Sequence, residues 1–97
     1  MKIIWAKSAR QDLREIEAYI AEDNQIAAYD TIFKIISKVE TLLTMGTSIG
    51  RAGRIISTRE LVIPKTPYIV IYSVLETNIN VLRVIHEARK WSDNLLS

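Results

Sequence analysis

The fold is decided by one stretch, "IISTRELVIPKTPYIVIYSVLETNINVLRVIH", residues 55–86. It contains three runs rich in β-branched and aromatic residues, "IISTRELVI", "YIVIYSV" and "INVLRVIH", and such runs favour strands. The two connections, "PKTP" and "LETN", have loop chemistry. Because both connections are short, we expect the three strands to pair in chain order as an antiparallel meander.

If both connections are four-residue turns, the register of the meander follows, with Val70 opposite Arg83 and Ile71 opposite Leu82. One face would then hold Arg59, Leu61, Val70, Tyr72 and Arg83, and the other Glu60, Val62, Ile69, Ile71, Leu82, Val84 and His86. A slip of one residue at either turn would exchange these sets. Both sets are largely apolar, which predicts that both faces are covered, one by helices and the other by a partner.

Two helices are predicted before the meander, and a short turn at "EDN", residues 22–24, separates them. Ser8 with Gln11 is a capping-box pattern for the first helix, and Asn24 can cap the second. The second helix is expected to end near Met45, with Gly46 as its C-terminal cap. The first helix has an apolar stripe formed by Ala9, Leu13, Ile16 and Ile20. The second helix has a stripe formed by Ile32, Ile36, Val39 and Leu43, which Phe33, Ile35 and Leu42 widen.

The remaining segments complete the element order. The apolar run "KIIWA", residues 2–6, is expected to be a strand, and the glycine-rich residues 46–54 a flexible loop. The order β-α-α-β-β-β, followed by a short C-terminal tail or turn, predicts an α+β fold with a helix hairpin on one face of an antiparallel sheet. The length of 97 residues suits a single domain spanning residues 1–97.

Composition narrows the class of protein. The chain has no cysteine and one histidine, which excludes a disulfide scaffold and a thiolate metal site. Its net charge of +2 is only a mild positive field. The sequence shows no phosphate-binding glycine loop, no signal-peptide pattern and no apolar run of membrane-spanning length. We therefore expect a cytoplasmic protein with no cofactor, no metal and no membrane partner.

The histidine lies in "RVIHEARKW", residues 83–91, where the last strand run ends. His86 could act as a general acid or base, because histidine titrates near neutral pH. It could equally be a strand-end residue with a local hydrogen bond. Arg89 could bind a phosphate or an acidic partner, or it could be solvated on a terminal turn. Trp91 is interpreted first as a packing residue.

The other arginines also have two interpretations. Arg51 and Arg54, in the glycine-rich loop, could be solvated or could contact an acidic partner. Arg59 and Glu60, in the middle of a strand run, suggest a cross-strand ion pair, which contributes little to stability if it is exposed.

Taken in order, these motifs resemble the RelE/ParE family of toxins from type II toxin–antitoxin systems, also called plasmid-stabilisation proteins. In the first half of the chain, the matching pieces are a strand near Trp5 and the helical motif "A-x-x-D-L-x-x-I-x-x-Y-I", which begins at Ala9. In the second half they are "G-R" at Gly50, "R-E-L" at Arg59 and "Y-I-V-x-Y" at Tyr68. The last piece is "V-x-H-x-x-R" followed by an aromatic residue, from Val84 to Trp91. The resemblance covers nearly the whole chain. It implies a growth-inhibiting toxin, kept harmless by a cognate antitoxin whose C-terminal segment docks on it.

The family divides by target. RelE-like members cut messenger RNA in the ribosome without a metal, using cations on the sheet and a proton-transferring group. ParE-like members bind DNA gyrase and perform no chemistry of their own. The RelE basic strand positions fall here on Glu60, Val62 and Ile69, and only Arg89 matches. The resemblance therefore favours a ParE-like gyrase inhibitor that is not an enzyme, with a ribosome-dependent mRNA endoribonuclease and an inactive antitoxin-binding remnant as alternatives.

The resemblance also suggests which residues carry the function. In the ribonuclease alternative, His86 and Arg89 would be catalytic. The residues that would contact the target or the antitoxin are Arg51, Arg54, Arg59, Arg83, Arg89 and Trp91.

Overall fold

The computed structural model describes residues 1–89, 91, 95 and 96 of the chain. Its elements are β1 (Lys2–Trp5), α1 (Lys7–Ala21), α2 (Gln25–Thr44), β2 (Arg51–Ala52), β3 (Arg59–Val62), β4 (Tyr68–Leu75) and β5 (Asn78–His86). The strands form one sheet in the order β1-β5-β4-β3-β2, and α1 and α2 pack against each other and against the sheet. The predicted α+β fold with a helix hairpin is confirmed.

Two details of the sheet differ from the sequence-based expectation. The sheet has a fifth strand, β2, inside the segment expected to be a flexible loop. It has only two residues, which is too short for any alternation to be visible. The sheet is also mixed rather than wholly antiparallel, because β1 pairs with β5 in parallel.

The first hairpin of the meander has the predicted register, with Leu61 opposite Val70 and Arg59 opposite Tyr72. The second hairpin does not. Its turn contains only residues 76 and 77, and the register shifts between Ile71 and Tyr72.

As a result, Arg83 lies opposite Ile71 rather than Val70. Val84 lies opposite Val70 and joins the core beneath the helices, so its predicted place beside Ile71 is wrong. A β-bulge of this kind inserts one extra residue into a strand, and neither turn length nor apolar pattern reveals it.

The helix caps were predicted with mixed success. Asn24 caps α2 as expected, with its Oδ1 accepting a hydrogen bond from the backbone N–H of Ala27 at 3.0 Å. The capping box at Ser8 is wrong, because α1 begins at Lys7 and its N-cap residue, Ala6, makes no side-chain hydrogen bond. The backbone N–H of Ala6 instead donates to the carbonyl of Val81, which joins the helix start to β5.

The predicted stripe of α1 faces the core, but the stripe of α2 is rotated from the predicted one. Its buried residues are Ala28, Ile35, Val39 and Leu42. The other predicted members Phe33, Ile36 and Leu43 are exposed. The apolar arc of α2 is therefore wider than the surface that α1 and the sheet cover.

Both faces of the sheet are covered within the chain. The helices cover a core that includes Leu61, Val70, Tyr72, Val81 and Val84. On the other face, Ile71 and Ile85 pack with Leu95, and Ile55, Leu82 and Trp91 surround them. The expectation that a partner covers this second face is wrong for these residues, because the chain's own C-terminal segment covers them.

The loop before β3 is fixed by specific contacts. Tyr72 Oη accepts a hydrogen bond from the N–H of Gly50 at 3.1 Å and donates to the carbonyl of Thr47 at 2.6 Å. A Cβ on Gly50 would lie 2.5 Å from Tyr72 Oη and 2.9 Å from the carbonyl oxygen of Glu60. Only glycine fits between these two groups.

In the described part of the chain, no helix is both long and apolar enough to cross a bilayer.

Candidate functional site

A cleft with a volume of about 550 Å³ lies between α1, the start of β4 and the end of β5. Its polar lining includes Tyr19 from α1, Lys65 from the β3–β4 turn, Tyr68, His86 and Arg89. Asp12 and Glu15 of α1 add two carboxylates to the lining, and apolar side chains from α1 and β5 form the floor. The cleft therefore combines two cations, two carboxylates, two phenols and an imidazole around an apolar floor.

His86 is exposed at the end of β5 and lies opposite Tyr68 in the sheet. The two rings meet edge to face, with their centroids 5.5 Å apart and an interplanar angle of 81°. Nδ1 of His86 accepts a hydrogen bond from the backbone N–H of Ala88 at 3.1 Å. This bond places the proton of the neutral ring on Nε2, so the imidazole presents a donor rather than a free base to a ligand.

The remaining polar groups of the cleft are suited to binding. Burial raises the pKa of Tyr68, and the nearby Tyr19 raises it further, so the phenol stays protonated and can donate a hydrogen bond at neutral pH. Arg89 lies at the end of a turn, and its backbone N–H donates a hydrogen bond to the carbonyl of His86 at 2.9 Å. No hydrogen bond or ion pair joins its guanidinium to another described residue. Arg89 and Lys65 thus place two cations at the cleft.

Arg83 is held by Asp12, and both side chains are largely buried. Arg83 Nε lies 2.7 Å from Asp12 Oδ2 and Nη2 lies 2.9 Å from Oδ1, which is a bidentate pair. This hydrogen bonding raises the pKa of Arg83. Arg83 Nη1 also donates to the carbonyl of Leu95, so the pair connects α1 to the C-terminal segment.

Asp12 has a second role at the edge of the sheet. β1 pairs with β5 only as far as Val81, so the N–H of Val84 has no strand partner on that side. Asp12 Oδ2 accepts this N–H at 2.9 Å. One carboxylate thus satisfies a guanidinium and a backbone donor that would otherwise be buried without a partner.

A second buried carboxylate, Glu60, organises the opposite end of the sheet. Its side chain is 1% exposed and lies 3.1 Å from Arg51 Nη2 and 3.5 Å from Arg54 Nη2. The backbone N–H of Arg54 also donates to Glu60 Oε2 at 2.8 Å. The guanidinium of Arg54 stacks on Trp91, 3.9 Å from the ring centroid, in a cation–π contact. We call these four residues the Glu60 cluster.

The cross-strand ion pair suggested for this strand forms between Glu60 and Arg51 of β2. Arg59 takes no part in it, because consecutive strand residues point to opposite faces. Its Nε donates to the carbonyl of Gly50 and its Nη2 to the carbonyl of Ser48, both at 3.0 Å. Arg59 therefore fixes the loop that precedes β2.

The structure divides the sequence-predicted site residues into separate groups. It brings His86 and Arg89 together at the cleft, whereas Arg51, Arg54 and Trp91 lie in the Glu60 cluster. Sequence reasoning missed Asp12 and Tyr68 as site residues. Asp12 did carry a signal, because it is a charge within the apolar stripe of α1. Among the described residues, no three His, Asp or Glu side chains form a group that could hold a metal ion.

Comparisons with known proteins agree on one family. The family model described as the ParE toxin of the type II toxin–antitoxin system, parDE, matches residues 3–91. A relative from Sinorhizobium fredii (strain NBRC 101917 / NGR234), named "Putative toxin Y4kP", is 39% identical over 90 residues, which are 93% of this chain and 92% of that protein.

A solved structure described as the chromosomal ParDE TA system from P. aeruginosa superposes with a TM-score of 0.80. The two chains are 23% identical, and the match covers 89% of this chain and 95% of the other. At this identity the superposition supports the fold alone. The family match and the relative identify this chain as a member of the ParE toxin family of type II toxin–antitoxin systems.

Proposed function

We propose that this ParE-family toxin inhibits growth by binding DNA gyrase and performs no chemistry of its own. The observation that carries the proposal is the state of its arginines. Arg51 and Arg54 share the carboxylate of Glu60, and Arg83 is paired with Asp12. These guanidinium groups are already engaged by carboxylates of the same chain.

Cleavage of RNA requires cations that stabilise the charge growing on the phosphate in the transition state. Such cations must be aimed at the reacting group rather than at a carboxylate of the same protein. In the described structure, the cleft offers Arg89 and Lys65 at its edge, and His86 presents a proton donor. With only two cations, which the carboxylates of Asp12 and Glu15 partly offset, this arrangement suits recognition of a polar protein surface better than stabilisation of a phosphate transition state.

The cognate antitoxin is the partner that the family implies. We propose that its C-terminal segment docks on the toxin and includes the cleft in its contact surface. The apolar floor and two cations would suit a segment that alternates apolar and acidic residues. Binding there would compete directly with the target.

A second candidate function, ribosome-dependent cleavage of messenger RNA, is favoured by one observation. Lys65, Tyr68, His86 and Arg89 all line the same cleft, so a cation pair, a phenol and an imidazole lie within reach of one ligand. In this alternative His86 would act as the general acid and Arg89 would bind the phosphate.

The two candidates are distinguished by producing the chain without its antitoxin in bacterial cells. We expect DNA synthesis to stop before translation does, with induction of the DNA-damage response and intact messenger RNA. The purified chain should inhibit supercoiling by gyrase in vitro. Arrest of translation within minutes with cleaved messenger RNA, lost in the His86→Ala variant, would instead establish the ribonuclease. If neither process stops while the antitoxin still binds, the chain is an inactive binding remnant.

A further inference from the structure

The helix α2 carries a second apolar stripe on its outer surface. Ile26, Tyr29, Phe33, Ile36 and Leu43 are all exposed, and Phe33 is 70% exposed. Glu40, also exposed, is the one polar residue in the row. A continuous row of large apolar side chains on the outside of a helix is a feature of surfaces that bind another protein.

The spacing of this row is that of a coiled-coil seam. Residues 26, 29, 33, 36, 40 and 43 are separated by alternating steps of three and four, which is the a/d pattern of a heptad. The stripe that faces the core consists of other residues, including Ala28, Ile35 and Leu42. One helix therefore presents two seams. The outer seam is exposed in the described structure, and Phe33 lies beside a groove that Ile63, Pro64 and Lys65 also line.

The outer seam is complementary to itself when two copies run antiparallel. A two-fold axis near the Lys34–Ile35 peptide pairs Ile26 with Leu43, Phe33 with Ile36, and Tyr29 with Glu40 of the second copy. The only carboxylate in the row then faces its only hydroxyl, which can donate a hydrogen bond to it. We propose that α2 pairs with α2 of a second copy of this chain to form a two-fold symmetric dimer.

The charges beside the axis are compatible with this pairing. Lys34, next to the axis, forms an ion pair with Asp30 of the same helix at 2.7 Å. Two copies would therefore not bring uncompensated lysines together. A helix of 20 residues is about 30 Å long, and one such pair gives an interface at the small end of the range for specific complexes. The dimer should therefore dissociate on dilution.

The dimer would leave the cleft accessible. The cleft reaches α2 at Thr31, and residues 31 and 33 are about 200° apart around a helix. Phe33 and the part of the cleft at Thr31 therefore lie on different sides of α2, and Lys65 is the one described cleft residue that also lines the groove beside Phe33. The inference is independent of the proposed gyrase target, since neither Arg89 nor His86 takes part in the pairing.

The test is sedimentation equilibrium of the purified full chain over a wide range of concentrations. We expect a reversible monomer–dimer equilibrium. The Phe33→Asp variant should raise the dissociation constant at least about tenfold, because it places two buried charges beside the axis. Ile56→Asp is the matched control, since Ile56 is 89% exposed and lies outside the seam. Circular dichroism should show that both variants are folded.

A charge exchange tests the pairing itself. Tyr29→Glu and Glu40→Lys should each weaken the dimer, and the double variant should restore it through two intersubunit ion pairs. The two positions are eleven residues apart, too far to contact each other within one helix.

Cysteine crosslinking tests the direction, because the natural chain has no cysteine. Oxidation of a mixture should join an Ile26→Cys chain to a Leu43→Cys chain, and neither should form a disulfide with itself. A chain that stays monomeric at the highest concentration would overturn the proposal. A dimer that the Phe33→Asp substitution leaves unchanged would also overturn it, as would a crosslink that joins like positions of two parallel helices. The proposal would fail as well if substitutions in the seam weakened binding of the antitoxin but not dimerisation.

Discussion

In the Glu60 cluster, two guanidinium groups share one buried carboxylate, whereas at the cleft Arg89 and Lys65 face solvent beside an exposed histidine. Both regions contain arginine and border the same small sheet. In the cluster, and likewise in the pair of Arg83 with Asp12, the cations hold parts of the chain together. In the cleft, Arg89 and Lys65 form no ion pair with another described residue, and we propose that they serve to bind a second molecule. The role of an arginine therefore cannot be inferred from the sequence until the group that it pairs with is known.

The comparison predicts the largest loss of stability at Asp12. The Asp12→Ala substitution would leave Arg83 largely buried without its partner, and the N–H of Val84 without an acceptor. We expect the free energy of unfolding, measured by urea denaturation, to fall by about 3 kcal/mol. Asp30→Ala is the control, because Asp30 is also ion-paired on a helix but is half exposed, and its loss should cost at most about 0.5 kcal/mol. Equal losses for the two variants would show that the buried pair has no special role.

Glu60→Ala should have the next largest effect. The substitution removes the acceptor of the Arg54 N–H and both ion pairs of the cluster. Because Arg51 and Arg54 are about half exposed and can be rehydrated, we expect a loss of only about 2 kcal/mol. The fluorescence of Trp91 should change as well, since Arg54 would no longer be held against its ring. Glu87→Ala, at an exposed position, should change neither quantity.

Gly50→Ala tests the loop that supports the Glu60 cluster. The added Cβ would overlap Tyr72 Oη and the backbone of Glu60, so Tyr72 would have to move from its hydrogen bond with Thr47. We expect a loss of about 1–2 kcal/mol in urea denaturation. Gly50→Ala combined with Tyr72→Phe should lose less than the sum of the two single variants, because both disturb the same contact. Strict additivity would contradict the proposed clash.

The sequence predicted those features that depend on local pattern. The meander, the helix hairpin and the cap at Asn24 all follow from residues close together in the chain. Apart from the capping box at Ser8, the features that it did not predict depend on contacts between elements. The shifted register at Ile71 and the roles of Asp12 and Glu60 require knowing which elements meet. The resemblance identified the family correctly, but it could not show which arginines are already engaged by carboxylates of the same chain.

The last prediction concerns Arg89, where the effect on stability should be smallest and the effect on function largest. We expect Arg89→Ala to change the free energy of unfolding by less than about 0.5 kcal/mol, since no described residue pairs with its side chain. Arg51→Ala is the matched variant from the Glu60 cluster and should lower stability more.

Inhibition of gyrase supercoiling by the purified wild-type chain, Arg89→Ala and Arg51→Ala, measured beside their unfolding curves, distinguishes functional from structural cations. We predict that Arg89→Ala needs at least about tenfold more protein for half-inhibition while remaining as stable as the wild type. Arg51→Ala should retain inhibition under conditions where it is folded. If Arg89→Ala inhibits as strongly as the wild type, or if Arg51→Ala alone loses inhibition without losing stability, the division between structural and functional cations is wrong.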